Sequence, residues 1–241
     1  MRLLGRWLLL AAGAALVLQL FFIGRIALMA AIDPQSTTFE RSEAWRLAQD
    51  GPLRWSQHWR DYDQIADTLK RAVIASEDDS FANHDGVDWE AMERAWERNA
   101  KAEQAAAARA EQNLPARAIK IRGGSTITQQ LAKNLLLSGE RTLLRKGQEF
   151  VLTLALEQLL PKQRILEIYL NNVEWGEGVF GAEAAAQHYF RKSASKLSAA
   201  EAARLAVMLP APKRFEKTPG SAYLAGRTRT ILGRMGSAEL P

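Results

Sequence analysis

The stretch GGSTITQQLAKN, residues 123–134, mixes residue types that a purely structural helix rarely needs. Thr126 and Gln129 have the T-x-x-Q spacing of a capping box, which places a helix start there. The glycines let the chain turn and let a ligand approach the backbone, and free N–H groups at a helix start favour an anion. Ile127, Leu131 and Leu135 recur at i, i+4, i+8, so one face is apolar and Gln129 and Lys133 fall on another. In the next segment, ERTLLRKGQE, residues Arg141, Arg145 and Glu149 are spaced by four, with Leu144, Gly147, Val151 and Leu154 assigned to the packing face. Lys133, Arg141 and Arg145 together suit a phosphate or diphosphate. The plain alternative is a solvated face with ion pairs worth tenths of a kcal/mol each. Upstream, SEDDSFANHDG (76–86) carries Glu77, Asp78 and Asp79 in succession. Like charges this close raise the pKa of at least one carboxyl, which suits a general base.

These groups need a scaffold, and the apolar spacing supplies a helical one. Helices are expected over 64–76, 88–112, 126–137, 142–160, 162–171, 182–190 and 198–209, with prolines 115, 161, 210 and 212 as punctuation. Strand alternation is scarce, so the fold class is mainly α. Residues 33–62 read as a polar linker and domain entry, the linker proper being 33–44. The Ala-rich run AKAEQAAAARAEQ has no large apolar side chain, so its helix should be exposed.

Residues 7–23, WLLLAAGAALVLQLFFI, hold a single polar side chain, Gln19. With Arg25 snorkelling to the interface, the run reaches the roughly 20 residues that cross a bilayer. Arg2 and Arg6 before it favour a cytoplasmic N-terminus. A retained anchor over 1–32 is preferred to a cleaved signal peptide, which usually has a shorter apolar run. The domain then lies outside the cytoplasm, which excludes nucleic acid as a partner. The net charge of +5 suits an anionic partner. With no cysteine in the chain, disulfide frameworks and thiolate metal sites are excluded.

Some motifs lead elsewhere. GEGVFG (176–181) matches G-x-G-x-x-G, but a helical pattern precedes it where a dinucleotide site needs a strand; a tight loop between helices is expected. SASK (193–196) matches an acylating-serine motif but lacks the downstream partners; Ser198 and Glu201 read instead as a capping box. His58, His84 and His188 have no zinc spacing, and His84 reads as a loop contact.

Taken together, the segments resemble a known family. EDDSFANHDG resembles E-D-x-x-F-x-x-H-x-G, the first signature of the family 51 peptidoglycan glycosyltransferases. GGSTITQQLAKN is similar to their second motif, RKGQE to R-K-x-x-E, KQRILEIYLN to K-x-x-I-L-E-x-Y-L-N, and EAARLAVMLPAP to the fifth. All five occur in order within about residues 45–235, and the Ala-rich stretch around 101–118 is longer than the family pattern suggests.

The resemblance implies a lysozyme-like, two-lobed domain over 45–241 behind a single-pass anchor in a bacterial inner membrane, with the catalytic domain on the periplasmic side. A monofunctional form without a transpeptidase domain is expected. It implies polymerisation of lipid II onto a growing glycan chain, forming β-1,4 bonds with inversion and releasing undecaprenyl diphosphate. By carry-over, Glu77 is the base and Asp78 tunes it. Lys133, Arg141 and Arg145 bind diphosphate; Ser125, Thr126, Gln129, Gln130 and Asn134 line the donor site. Glu149 is the second catalytic carboxylate, orienting cations or assisting through a divalent cation, Mg2+ or Mn2+. No organic cofactor is expected, and which residues would hold a metal is left open. Membrane lipid and other cell-wall synthesis or division proteins are the implied partners.

Two other readings stand beside this one. A lytic, glycan-cleaving enzyme needs an acid for an alkoxide leaving group and has no use for a diphosphate-binding cluster. A non-enzymatic membrane-tethered scaffold would tolerate Glu77→Gln.

Overall fold

The computed structural model describes residues 2–112, 124–140 and 142–241. Arg141 and residues 113–118 of the Ala-rich stretch lie outside the described residues. Helix α1 (Arg2–Leu28) is the apolar N-terminal run. Its residues Leu3–Leu28 are long and apolar enough to cross a membrane, by length and composition. Its C-terminal part meets the domain: Phe22 packs against the core, and Ile26 and, just past the helix, Met29 join it.

Helix α2 (Thr38–Asp50) corrects the expectation of a linker over 33–44. Thr37 and Glu40 form a full capping box and both are buried. The Glu40 carboxylate also accepts from Gln57 Nε2 at 2.8 Å, which pins the helix start to β1 (Ser56–Gln57). The segment looks like a linker because its apolar side chains are few; tertiary hydrogen bonds hold it instead.

Helix α3 (Asp67–Glu77) carries Leu69, Val73 and Ile74 into the core and ends at the acidic cluster. Helix α4 (Trp89–Glu111) is long and largely exposed beyond Ala100, as its composition requires. Helix α5 (Ile127–Leu136) buries Ile127, Leu131 and Leu135 to 1 % exposure or less, each worth about 1.5–3 kcal/mol of apolar burial. Helix α6 (Leu143–Leu159) packs along α5 and also touches α1.

The orientation of α6 overturns the sequence reading. Its buried residues are Glu149, Leu152, Thr153 and Leu156, whereas Leu144, Val151 and Leu154 of the expected packing face are exposed. Apolar periodicity identifies a stripe that avoids water but does not say what covers it.

Helix α7 (Lys162–Asn172) leads into β2 (Glu174–Gly176) and β3 (Val179–Phe180), then α8 (Ala182–Phe190). These strands form a small sheet of order β1-β3-β2, with β1 parallel and β2 antiparallel to β3. GEGVFG is therefore a hairpin rather than a plain loop. Gly178 and Gly181 have positive φ, and a Cβ at Gly178 would lie 2.1 Å from the Arg54 carbonyl oxygen. Only glycine fits there. Helix α9 (Ala199–Met208) starts at the expected Ser198–Glu201 capping box and packs against α3. Helices α10 (Pro212–Lys217) and α11 (Ala222–Arg234) close the chain, with Leu224 and Ile231 of α11 buried.

Candidate active site

The site forms where the end of α3 meets the start of α5. Asp78, just past α3, is buried, and its Oδ2 accepts from the Ile127 N–H at 2.9 Å. Its Oδ1 lies 2.9 Å from His84 Nε2, and the Gly86 N–H donates to His84 Nδ1 at 3.1 Å. With Nδ1 accepting, Nε2 carries the proton and donates to Asp78. His84 is thus the loop contact expected of it.

Asp78 fills the helix N-terminus that the sequence suggested for a ligand anion. The Gln129 N–H is also taken, by Thr126 Oγ1 at 3.2 Å, and Gln129 Oε1 returns to the Thr126 N–H at 3.2 Å. The α5 N-terminus therefore holds an internal anion, which corrects the expectation of free N–H groups there. Thr126 is corrected too: it is 2 % exposed, and its hydroxyl donates to the Gly86 carbonyl at 2.6 Å. It caps the helix and does not line the cleft.

Glu77 stands beside this cap. Gln130 Nε2 donates to its Oε2 at 2.9 Å, and Tyr169 Oη donates to Gln130 Oε1 at 3.1 Å. Burial pushes the Glu77 carboxyl up from its usual range; the Gln130 hydrogen bond opposes this, the Asp78 charge adds to it, and Arg227 of α11 opposes it. The Tyr169 phenol is raised well above its usual range by burial and by the charges of Glu77 and Asp78, so it stays protonated and donates. Asp79, the third carboxylate of the cluster, turns outward to Arg234 at 2.8 Å.

A cleft of about 720 Å³ opens in front of Gln130. Ser125, Gln129, Gln130, Lys133 and Asn134 line one wall, and Arg145, Lys146 and Glu149 another, with Glu43 and Glu174 at the far end. Glu77 is not on the lining and reaches it through Gln130. Glu149 is 4 % exposed, and both its oxygens are engaged: Oε2 by Arg145 Nη1 at 2.6 Å and Oε1 by Lys146 Nζ. A carboxylate so occupied orients cations; it is not open to act as a base. Arg145 Nε finds no hydrogen-bond partner among the described residues, so the guanidinium keeps donor capacity.

Five of the expected residues, Ser125, Gln129, Gln130, Lys133 and Asn134, therefore share one wall, and Arg145 and Glu149 face them. Sequence reasoning missed Lys146, although it stands inside RKGQE, and Tyr169, although it stands inside KQRILEIYLN. The tyrosine's place in the fourth motif was the available signal.

A sequence model described as transglycosylase matches residues 48–236. The chain belongs to the transglycosylase family. It is similar to proteins named biosynthetic peptidoglycan transglycosylase. One from Paraburkholderia phytofirmans is 53 % identical, covering 98 % of this chain and 94 % of the relative. One from Paraburkholderia xenovorans is 54 % identical over 95 % of this chain and 89 % of the relative. One from Burkholderia pseudomallei is 54 % identical over 95 % of this chain and 84 % of the relative. Within this transglycosylase, the five motif segments all fall inside the matched span. The mainly helical architecture accords with the family assignment.

Proposed function

We propose that the protein polymerises peptidoglycan glycan strands from lipid II, anchored by α1 with its domain on the periplasmic side of a bacterial inner membrane. The observation that carries this reading is the double role of Gln130, which lines the cationic cleft and hydrogen-bonds to Glu77. It brings a carboxylate of raised proton affinity to the edge of a cavity walled by Lys133, Arg145 and Lys146.

In the reaction, the growing chain is the donor and an incoming lipid II the acceptor. With the acceptor bound at the cleft edge beside Gln130, outside the lining proper, Glu77 takes the proton of its 4-hydroxyl as that oxygen attacks C1 of the donor sugar. The bond from C1 to the diphosphate oxygen breaks with inversion, and the diphosphate leaves with its electron pair. Lys133, Arg145 and Lys146 stabilise the charge that develops on it. Glu149 holds Arg145 and Lys146 in place.

The donor set at Glu149 does not fit a resident divalent cation, because both carboxylate oxygens face cations. Among the described residues no group of three or more His, Cys, Asp or Glu is placed to hold one. No step is therefore routed through a metal. The exposed Leu143, Leu144, Phe150, Val151 and Leu154 belong to α6, the helix that also contacts α1, and offer apolar surface suited to membrane lipid and to the substrate's polyprenyl chain.

The test is a polymerisation assay with labelled lipid II and detergent-solubilised protein. Wild type should give a glycan ladder that lysozyme digests, and Glu77→Gln should give none. Shortening of preformed glycan without polymerisation would instead establish the lytic alternative.

A further inference from the structure

The polar side chain inside the apolar run of α1 has a partner. Gln19 Nε2 donates to Gln148 Oε1 at 2.7 Å, and Gln148 Nε2 donates back to Gln19 Oε1 at 2.9 Å. Each amide thus satisfies the other across 129 residues of sequence. Gln148 is the neighbour of Glu149, the carboxylate that holds Arg145 and Lys146.

The pair continues a stripe along α1. Gln19, Phe22 and Ile26 of the helix and Met29 just past it follow at spacings of 3, 4 and 3, and from residue 6 to residue 29 these and Arg25 are the positions that are not exposed. Beyond the helix, Arg164 of α7 donates to the Met29 carbonyl at 2.8 Å and pairs with Asp33 at 2.7 Å. The anchor is held at two levels, by α6 and by α7. Gln19 lies six residues, about 9 Å of helix rise, on the membrane side of Arg25. At that depth water is scarce, and an amide without a partner is strongly disfavoured. A reciprocal pair is the arrangement that satisfies both.

We propose that Gln19 and Gln148 form an amide latch that makes the membrane helix a positioning element of the cleft. The latch sets the depth and rotation of α6, and so places Arg145 and Lys146 at the height where the diphosphate of a lipid-borne substrate meets the membrane surface. The reading rests on the function proposed above. Gln19 and Gln148 are positioning residues: neither belongs to the cleft lining.

The test uses the full chain in liposomes, with Gln19→Leu, Gln148→Leu and the double variant. Each single replacement strands one amide in an apolar setting, whereas the double leaves two apolar side chains. Each single variant is expected to raise the KM for lipid II about five- to tenfold with kcat changed less than twofold, since Glu77 and Gln130 sit on α3 and α5. The double variant is expected to recover part of that loss. Additive losses, equal falls in kcat, or unchanged KM in the singles would overturn the latch.

A second arm needs no activity. The chain has no cysteine, so Gln19→Cys/Gln148→Cys can be joined by a short bifunctional thiol reagent in intact membranes. Efficient intramolecular linkage is expected; failure to link refutes the docked anchor. Linkage without any polymerisation by wild type would sink the proposed function and leave the docking intact.

Discussion

Replacing Tyr169 with Phe removes one oxygen and leaves the buried ring in place. The phenol is 1 % exposed and donates to Gln130 Oε1 at 3.1 Å. An amide can be turned over, and either orientation fits the same space. A donor fixed on one side decides the matter: Gln130 must offer its oxygen to Tyr169 and its NH2 to Glu77. Turned the other way, the amide oxygen would oppose the Glu77 carboxylate. The lost bond is a neutral one of about 1 kcal/mol, a factor of roughly five in an equilibrium constant. Tyr169→Phe should therefore lower kcat/KM about five- to tenfold below neutral pH.

The direction with pH follows from the balance at Glu77. Burial and Asp78 raise its proton affinity, and the Gln130 hydrogen bond opposes them. A base works when ionised, so activity rises as pH passes its pKa. Weakening the opposing bond moves that acid limb to higher pH and leaves the plateau nearly intact. The assay is initial-rate polymerisation across the pH range, with a melting curve to show that the ring still fills its site. A uniform drop with an unmoved limb, or a profile that superimposes on wild type, would refute the reasoning.

Other replacements probe the scaffold and the far end of the cleft. Asp78→Asn should destabilise the protein by about 1–3 kcal/mol, because an amide cannot accept from both the Ile127 N–H and His84 Nε2–H, and one buried donor is left unmet; denaturant melts of the two proteins measure it. Glu174 is raised to about 7, chiefly by burial. Lys213, 3.2 Å from its Oε1, opposes the rise by its charge and by hydrogen bonding, but it shares its ammonium with Glu43, so burial wins. A carboxyl raised in the fold supports stability below the unfolded pKa near 4.5 and loses that support as pH rises through about 7. Glu174→Gln should hence be more stable than wild type at pH 8, by on the order of 3 kcal/mol, with the gap closing by pH 4; melting temperatures across pH test this, and a pH-independent difference counts against it. Gly178→Ala should cost several kcal/mol through its positive φ and the clash with the Arg54 carbonyl; a melting temperature within about 2 °C of wild type would show that the hairpin yields.

What the sequence made legible was local. The T-x-x-Q box at Thr126 and the S-x-x-E box at Ser198 need only four residues to be recognised, and both helices start there. Helix α2 carries the same kind of signal, Thr37 to Glu40, but its hold on the domain comes from Gln57 and α5, far away in sequence. The strands are two or three residues long, too short for alternation to register. Along α6 the rule that apolar faces turn inward fails, since Leu143 and Leu144 stay exposed while the charged Glu149 is buried. Of the residues singled out by motif spacing, Ser125, Gln129, Gln130, Lys133, Asn134, Arg145 and Glu149 line one cleft. That spacing could not show that Asp78 would occupy the start of α5, or that Tyr169 would orient the glutamine beside Glu77.

That internal occupation bears on inhibitor chemistry. A phosphonate or other anionic mimic aimed at the α5 N-terminus would compete with a carboxylate tethered by the chain itself, whose effective concentration is set by the fold and not by dose. Winning would also strand the proton on His84. Compounds addressed to Arg145 and Lys146 face only Glu149, which those cations can share with a second anion. The productive target is the wall of the cleft opposite the helix end.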